Sequence, residues 1–151
     1  MLAERITLMP GGATLLATMR TAGGHAALVS GGFTAFTQAI ATRLGFDENH
    51  ANILFAENGI LTGEVARPIL GKQAKVDALE RITARLGISE SDVIAVGDGA
   101  NDLGMLGRAG TGVALHAKPS VQAQCEVRVN HGDLTALLFL QGYARSEFVD
   151  A

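Results

Sequence analysis

The sequence holds a single cysteine, no tryptophan, one tyrosine and three prolines among 151 residues. One thiol, Cys125, excludes an internal disulfide and a cysteine-rich zinc site, and it fits a reducing compartment. Positive charge is scarce as well: 12 Lys and Arg stand against 15 Asp and Glu, a net charge of −3. No global positive field exists to gather nucleic acid or an anionic membrane, so the expected partners are small molecules. Long apolar runs are missing too. Gly, Pro or charge interrupts every apolar stretch before the roughly 18 residues that a membrane span needs, and Met1-Leu2-Ala3-Glu4-Arg5 carries no leader-like apolar run. A cytoplasmic location is the expectation.

What is present argues for a packed core. Hydrophobic residues make up 48% and charged residues 18%, which excludes a disordered chain. Nineteen glycines occur without a collagen-like period, so they mark turns. With no repeat and no polar linker, residues 1–151 read as a single unit. Leu15, Leu16 and Met19 predict a helix over 13–22, stopped by Gly23-Gly24. His25 to Ser30 reads as a strand closed by a turn at Gly31-Gly32, followed by a helix from Phe33 to Leu44. Asn58-Gly59 between two apolar triplets predicts a β-hairpin over 53–66. Val76, Leu79, Ile82 and Leu86 predict a helix over 72–86, and Val93 to Val96 reads as a strand buried on both faces. Helical stretches at 100–108, 118–124 and 133–141 flank strands at 111–116 and 127–130. The pattern is α/β with a parallel sheet and right-handed crossovers.

Three constellations carry chemistry. In Gly97-Asp98-Gly99-Ala100-Asn101-Asp102 two carboxylates stand four residues apart across a strand-to-helix turn, where open α/β sheets bind ligands. Hard Mg²⁺ takes carboxylate and phosphate oxygens, so a magnesium-phosphate site is chemically coherent there, with Asn101 available to a phosphate oxygen. An Asx-rich helix cap accounts for the same residues without any ligand. In Ser30-Gly31-Gly32 a hydroxyl and glycine amides at a strand end suit a phosphate, and equally an ordinary turn. Ser30 as an acyl-transfer nucleophile lacks support: residue 28 is Leu, so Gly-x-Ser-x-Gly is absent, and His25, His50, His116 and His131 form no triad pattern. Lys75, in the amphipathic helix, is either a phosphate-neutralising charge or a solvated lysine. Cys125 reads as packing, and His116, at a strand end, as structural or solvent-facing.

Taken together, Ser30-Gly31-Gly32-Phe33, the hairpin from Glu57 to Gly63, Lys75 and the 97–102 turn resemble, in order and spacing, the phosphoserine phosphatases of the haloacid dehalogenase superfamily. The resemblance runs from about Arg5 to about Leu140. It implies a Rossmann-like parallel sheet with flanking helices and a small β-hairpin. It also implies that Ser30 and Gly31 bind phosphate, Lys75 stabilises its charge, Asn101 is a secondary phosphate contact, and Asp98 and Asp102 hold Mg²⁺. The implied reaction is hydrolysis of O-phosphoserine to serine and phosphate, in serine biosynthesis.

One part of the family pattern is missing. The reaction starts with Asp-x-Asp-x-Thr/Val, whose first aspartate attacks phosphorus and whose second acts as acid and base. The aspartates here are Asp47, Asp77, Asp92, Asp98, Asp102, Asp133 and Asp150, and no two lie two positions apart. The resemblance therefore implies an incomplete core domain, lacking the N-terminal nucleophile strand and most of the helical cap, and inactive as an isolated chain. A gap beside the strands at 25–30 and 93–97 implies self-association or a complementing N-terminal segment. The alternative is a noncatalytic Mg²⁺- and phosphate-binding module.

Overall fold

A computed structural model describes residues 7–67 and 69–151 of the chain. The leader reading at Met1–Arg5 and the start of the resemblance at Arg5 lie outside the described residues. The structure divides into two compact units, Met1–Ile69 with Gly132–Ala151, and Leu70–His131.

In the first unit, α1 (Gly12–Thr21) turns Leu15 and Leu16 inward and ends where Gly24 N donates to Met19 O at 2.7 Å. Strand β1 (Ala27–Phe33) leads into α2 (Thr34–Leu44), which stops at Gly45 with φ 84°. The Arg20 guanidinium donates to the carbonyl of Gly45. The expected turn at Gly31-Gly32 is instead strand: β1 runs through both glycines, because it pairs in parallel with β2 (Glu48–Asn52) on either side of a register shift between Val29 and Phe33. Glu48 anchors this pairing, its two oxygens lying 2.5 Å from His25 Nε2 and 2.7 Å from His50 Nε2. The hairpin forms as the sequence predicts, β3 (Leu54–Glu57) against β4 (Ile60–Val65), with Asn58 at φ 51° and Gly59 at φ 79°. The C-terminal stretch returns to α1: Leu134 N donates to Pro10 O, and Val149 N to Thr18 Oγ1.

In the second unit, α3 (Lys72–Leu86) matches its predicted bounds. Its buried stripe differs from the expected one. Lys75, Ala78, Leu79 and Thr83 face inward while Leu86 is exposed, so the stripe is rotated to take Lys75 in. A three-stranded parallel sheet follows in the order β5 (Ile94–Gly97), β6 (Thr111–Leu115), β7 (Val127–Val129), with α4 (Leu103–Arg108) and α5 (Pro119–Gln122) between strands. Strand β5 is not buried on both faces: only Ala95 is buried and its neighbours are half-buried, as befits an edge strand with one ladder partner among the described residues. Ala95, Leu106, Ala114, Ala117, Val121 and Cys125 form one apolar cluster, so Cys125 is a packing residue. In the first unit, α6 (Ala136–Leu140) buries Leu137 and Leu138. No helix among the described residues is long and apolar enough to cross a membrane.

Candidate functional site

The second unit assembles its site at the C-terminal end of β5. Gly97 ends the strand, and a 3₁₀ turn at Ala100–Asp102 leads into α4, which folds Asp102 back beneath the loop. Asp98 N and Gly99 N donate to Asp102 Oδ2 at 3.1 and 3.2 Å. Lys75 Nζ, arriving from α3, donates to Asp102 Oδ1 at 2.5 Å. Both partners are buried, Lys75 at 9% and Asp102 at 4% exposure. Each buried charge is thus paired, and the carboxylate has donors on both oxygens, which is what burial of an ion demands.

This closure explains Gly97. A Cβ there would stand 2.5 Å from both Cβ and Cγ of Asp102, so only glycine lets the carboxylate lie against the strand end. Asp98 and Asn101, by contrast, are exposed on the turn. The Asp98 carboxylate makes no hydrogen bond or ion pair among the described residues. The structure therefore brings Lys75, from α3, against the turn that carries Asp98, Asn101 and Asp102, and rejects the reading of Lys75 as a solvated lysine.

Ser30 and Gly31 belong to the first unit. There Ser30 Oγ accepts from Gly32 N at 3.0 Å, and Asn52 Nδ2 donates to Gly31 O at 2.9 Å. Asn52 is buried and fixes the carbonyl face of the glycine, leaving Gly31 and Gly32 exposed. Sequence reasoning missed Asn52, which sits in a polar strand with no periodic signal. It also missed the Lys75–Asp102 pair, because 27 residues separate its members.

At the Asp98 turn the carboxylates of Asp98 and Asp102 offer a cation oxygen donors. Among the described residues no group of three or more His, Cys, Asp or Glu is arranged to hold a metal ion. Two carboxylates remain, Asp98 free and Asp102 largely engaged. That donor set fits Mg²⁺, which is commonly held by one or two carboxylates with phosphate and water completing the shell.

Comparison with known proteins agrees with this architecture. The chain is 40% identical over 145 residues to phosphoserine phosphatase SerB2 of Mycobacterium tuberculosis, covering 96% of this chain and 36% of that protein. It is 46% identical over 141 residues to phosphoserine phosphatase of Albidiferax ferrireducens, covering 91% and 60%. The unliganded crystal structure of a probable phosphoserine phosphatase from Vibrio cholerae superposes with a TM-score of 0.90 at 36% identity, covering 97% of this chain and 45% of that one. The chain thus spans between about a third and three fifths of the length of these relatives. With residues 1–107 matched by the haloacid dehalogenase-like hydrolase profile, and with this α/β fold, the chain belongs to that family.

Proposed function

We propose that the chain supplies the phosphate- and Mg²⁺-binding part of a phosphomonoester hydrolase whose substrate is O-phosphoserine and whose products are serine and phosphate. The observation that carries the reading is the buried Lys75–Asp102 pair clamped under the Gly97–Gly99 turn, with an uncommitted Asp98 carboxylate beside it. In this reading Asp98, with Asp102 behind it, holds Mg²⁺, which when bound offsets phosphate charge. Lys75 adds a fixed positive charge held in place by Asp102, so no reorganisation is needed as charge builds on the phosphoryl oxygens. Asn101 gives the phosphate an amide donor, and for Ser30 and Gly31 the reading keeps the phosphate-binding role that the family resemblance implies. The similarity to phosphoserine phosphatases supports O-phosphoserine as substrate, and a role in serine biosynthesis in a cytoplasmic setting is proposed with it.

Turnover needs a nucleophile that these residues do not contain. With no Asp-x-Asp pair among its seven aspartates, the 151-residue chain binds phosphate without cleaving its ester. A segment bearing such a pair, from this protein or another chain, completes the reaction. The specific alternative, a noncatalytic Mg²⁺- and phosphate-binding module, rests on the same missing pair. Phosphate release from O-phosphoserine with Mg²⁺ tests the proposal: none is expected from the 151-residue chain, and turnover is expected once a segment carrying Asp-x-Asp-x-Thr/Val is added. Robust turnover by the chain alone overturns the need for the missing aspartates. Failure of the supplemented chain favours the binding module, and failure to bind inorganic phosphate with Mg²⁺ overturns both.

A further inference from the structure

The charges around the Asp98 turn do not balance a phosphate. Lys75 and Asp102 neutralise one another, which leaves Asp98 as one net negative charge at the end of β5. A divalent cation there turns the site net positive, and a phosphate dianion turns it net negative again. One further cation at the same end of the sheet restores the balance.

The adjacent loop holds such a cation. Strands β5 and β6 are parallel neighbours with Gly97 opposite Ala114, so the stretch after β6 emerges beside the Asp98 turn. Lys118 N donates to Asp98 O at 3.3 Å, a direct backbone link between the two loops. The geometry of the linker is fixed. His116 N donates to Val129 O at 2.8 Å, Ala117 is 8% exposed within the apolar cluster, and Gln122 Nε2 donates to Ala117 O at 2.7 Å. His116 has φ 45°, a left-handed conformation uncommon for a residue with a side chain, though histidine adopts it more often than most. It lies two residues before Lys118. The Lys118 side chain is exposed, and its ammonium has no ion-pair partner among the described residues.

We propose that Lys118 is an anion-binding residue of the phosphate site, its ammonium supplying net positive charge beyond that of Lys75, which Asp102 offsets. The inference rests on the phosphatase reading and extends it to a residue that the turn motif does not contain.

Calorimetric titration of the 151-residue chain with inorganic phosphate, at saturating Mg²⁺ and low salt, tests it. Lys118→Ala is expected to weaken phosphate binding about fivefold, the scale of one partly screened charge contact. Lys118→Glu weakens it further, Lys118→Arg restores it, and the affinity for Mg²⁺ alone does not fall in Lys118→Ala. The side chain is exposed, so the unfolding temperature stays unchanged. Equal phosphate affinity with and without Lys118, or a loss that Lys118→Arg fails to restore, overturns the inference while leaving the phosphatase reading in place. If the unsubstituted chain binds no phosphate at all, the reading and the inference fall together.

Discussion

Burying an ammonium and a carboxylate is favourable only when each satisfies the other, and Lys75 and Asp102 differ in what they leave behind when removed. Lys75→Met leaves Asp102 with two backbone donors. Asp102→Ala strands the ammonium and frees the Asp98 and Gly99 amides at once. We therefore expect Asp102→Ala to destabilise the protein by about 3–5 kcal/mol, the cost of an uncompensated buried charge, and Lys75→Met by less. Urea denaturation of both single variants and the double variant checks this, with a coupling energy of about 2 kcal/mol expected from the cycle. Gly97→Ala belongs to the same unit of packing. Its Cβ needs the space that Asp102 fills, so a loss of roughly 2–3 kcal/mol is expected from overpacking. Gly107→Ala, in α4 with nothing within 4 Å of the new Cβ, should instead gain about 0.5–1 kcal/mol. Asp133 sets a pH response. Asp133 accepts hydrogen bonds from the side chain and amide of Thr135, which lower its carboxyl below the ordinary value of 3.8, with Arg145 adding to the effect. A carboxylate held low in the folded state stabilises it above the unfolded value, and that contribution is lost as pH falls through the folded one. Asp133→Asn should flatten the stability profile between about pH 4 and lower values, measured by thermal unfolding across that range. An unchanged acid limb would show that Asp133 has no part in it.

At the scale of elements, legibility depended on whether local pattern or a distant partner decided the structure. Helix α3 was readable to the residue because a 3.6-residue apolar spacing runs into Gly87, whose φ of 68° ends it. The hairpin was readable because Asn58-Gly59 accepts the two positive φ angles of its turn. Strand β2 was not readable. Glu48-Asn49-His50-Ala51-Asn52 has neither β-branched residues nor alternation, and it is a strand only through β1, with Asn49 accepting from Thr37 Oγ1 and Asn52 donating to Gly31 O. The same long-range cause carried β1 through two glycines that read locally as a turn. Within the site, Asp98, Asn101 and Asp102 were legible as a turn motif. The rotation of α3 that buries Lys75 was not, since it depends on a carboxylate in another element. The hairpin also carries exposed apolar side chains, Phe55, Ile60 and Leu61 among them. Because Ile60 is 72% exposed, Ile60→Thr should change stability by less than about 0.5 kcal/mol, as a urea titration would establish. A larger loss would mean that the hairpin tip packs against something in solution.

At the scale of the whole molecule, edges matter more than cores. Among the described residues β1 pairs only with β2 and β5 only with β6, so each of the two parallel sheets ends in an edge strand with apolar residues, Leu28 and Val29 in one and Ile94 and Val96 in the other. Natural sheets protect such edges with charge, proline or a covering element, and neither strand contains a charged residue or a proline. Main-chain donors and acceptors along an open edge pair readily with a further strand, whose addition costs no rearrangement of the sheet. The chain at high concentration is therefore expected to self-associate, or to take up an added extended segment in preference to itself. Light scattering across a concentration series measures the first outcome as a rising mass. A charge placed on the edge, as in Val96→Lys, should return the mass toward that of one chain, whereas Ile60→Thr on the hairpin should not. A mass that stays at one chain at high concentration would show that the two edges are already covered, and would remove the structural case for a complementing strand.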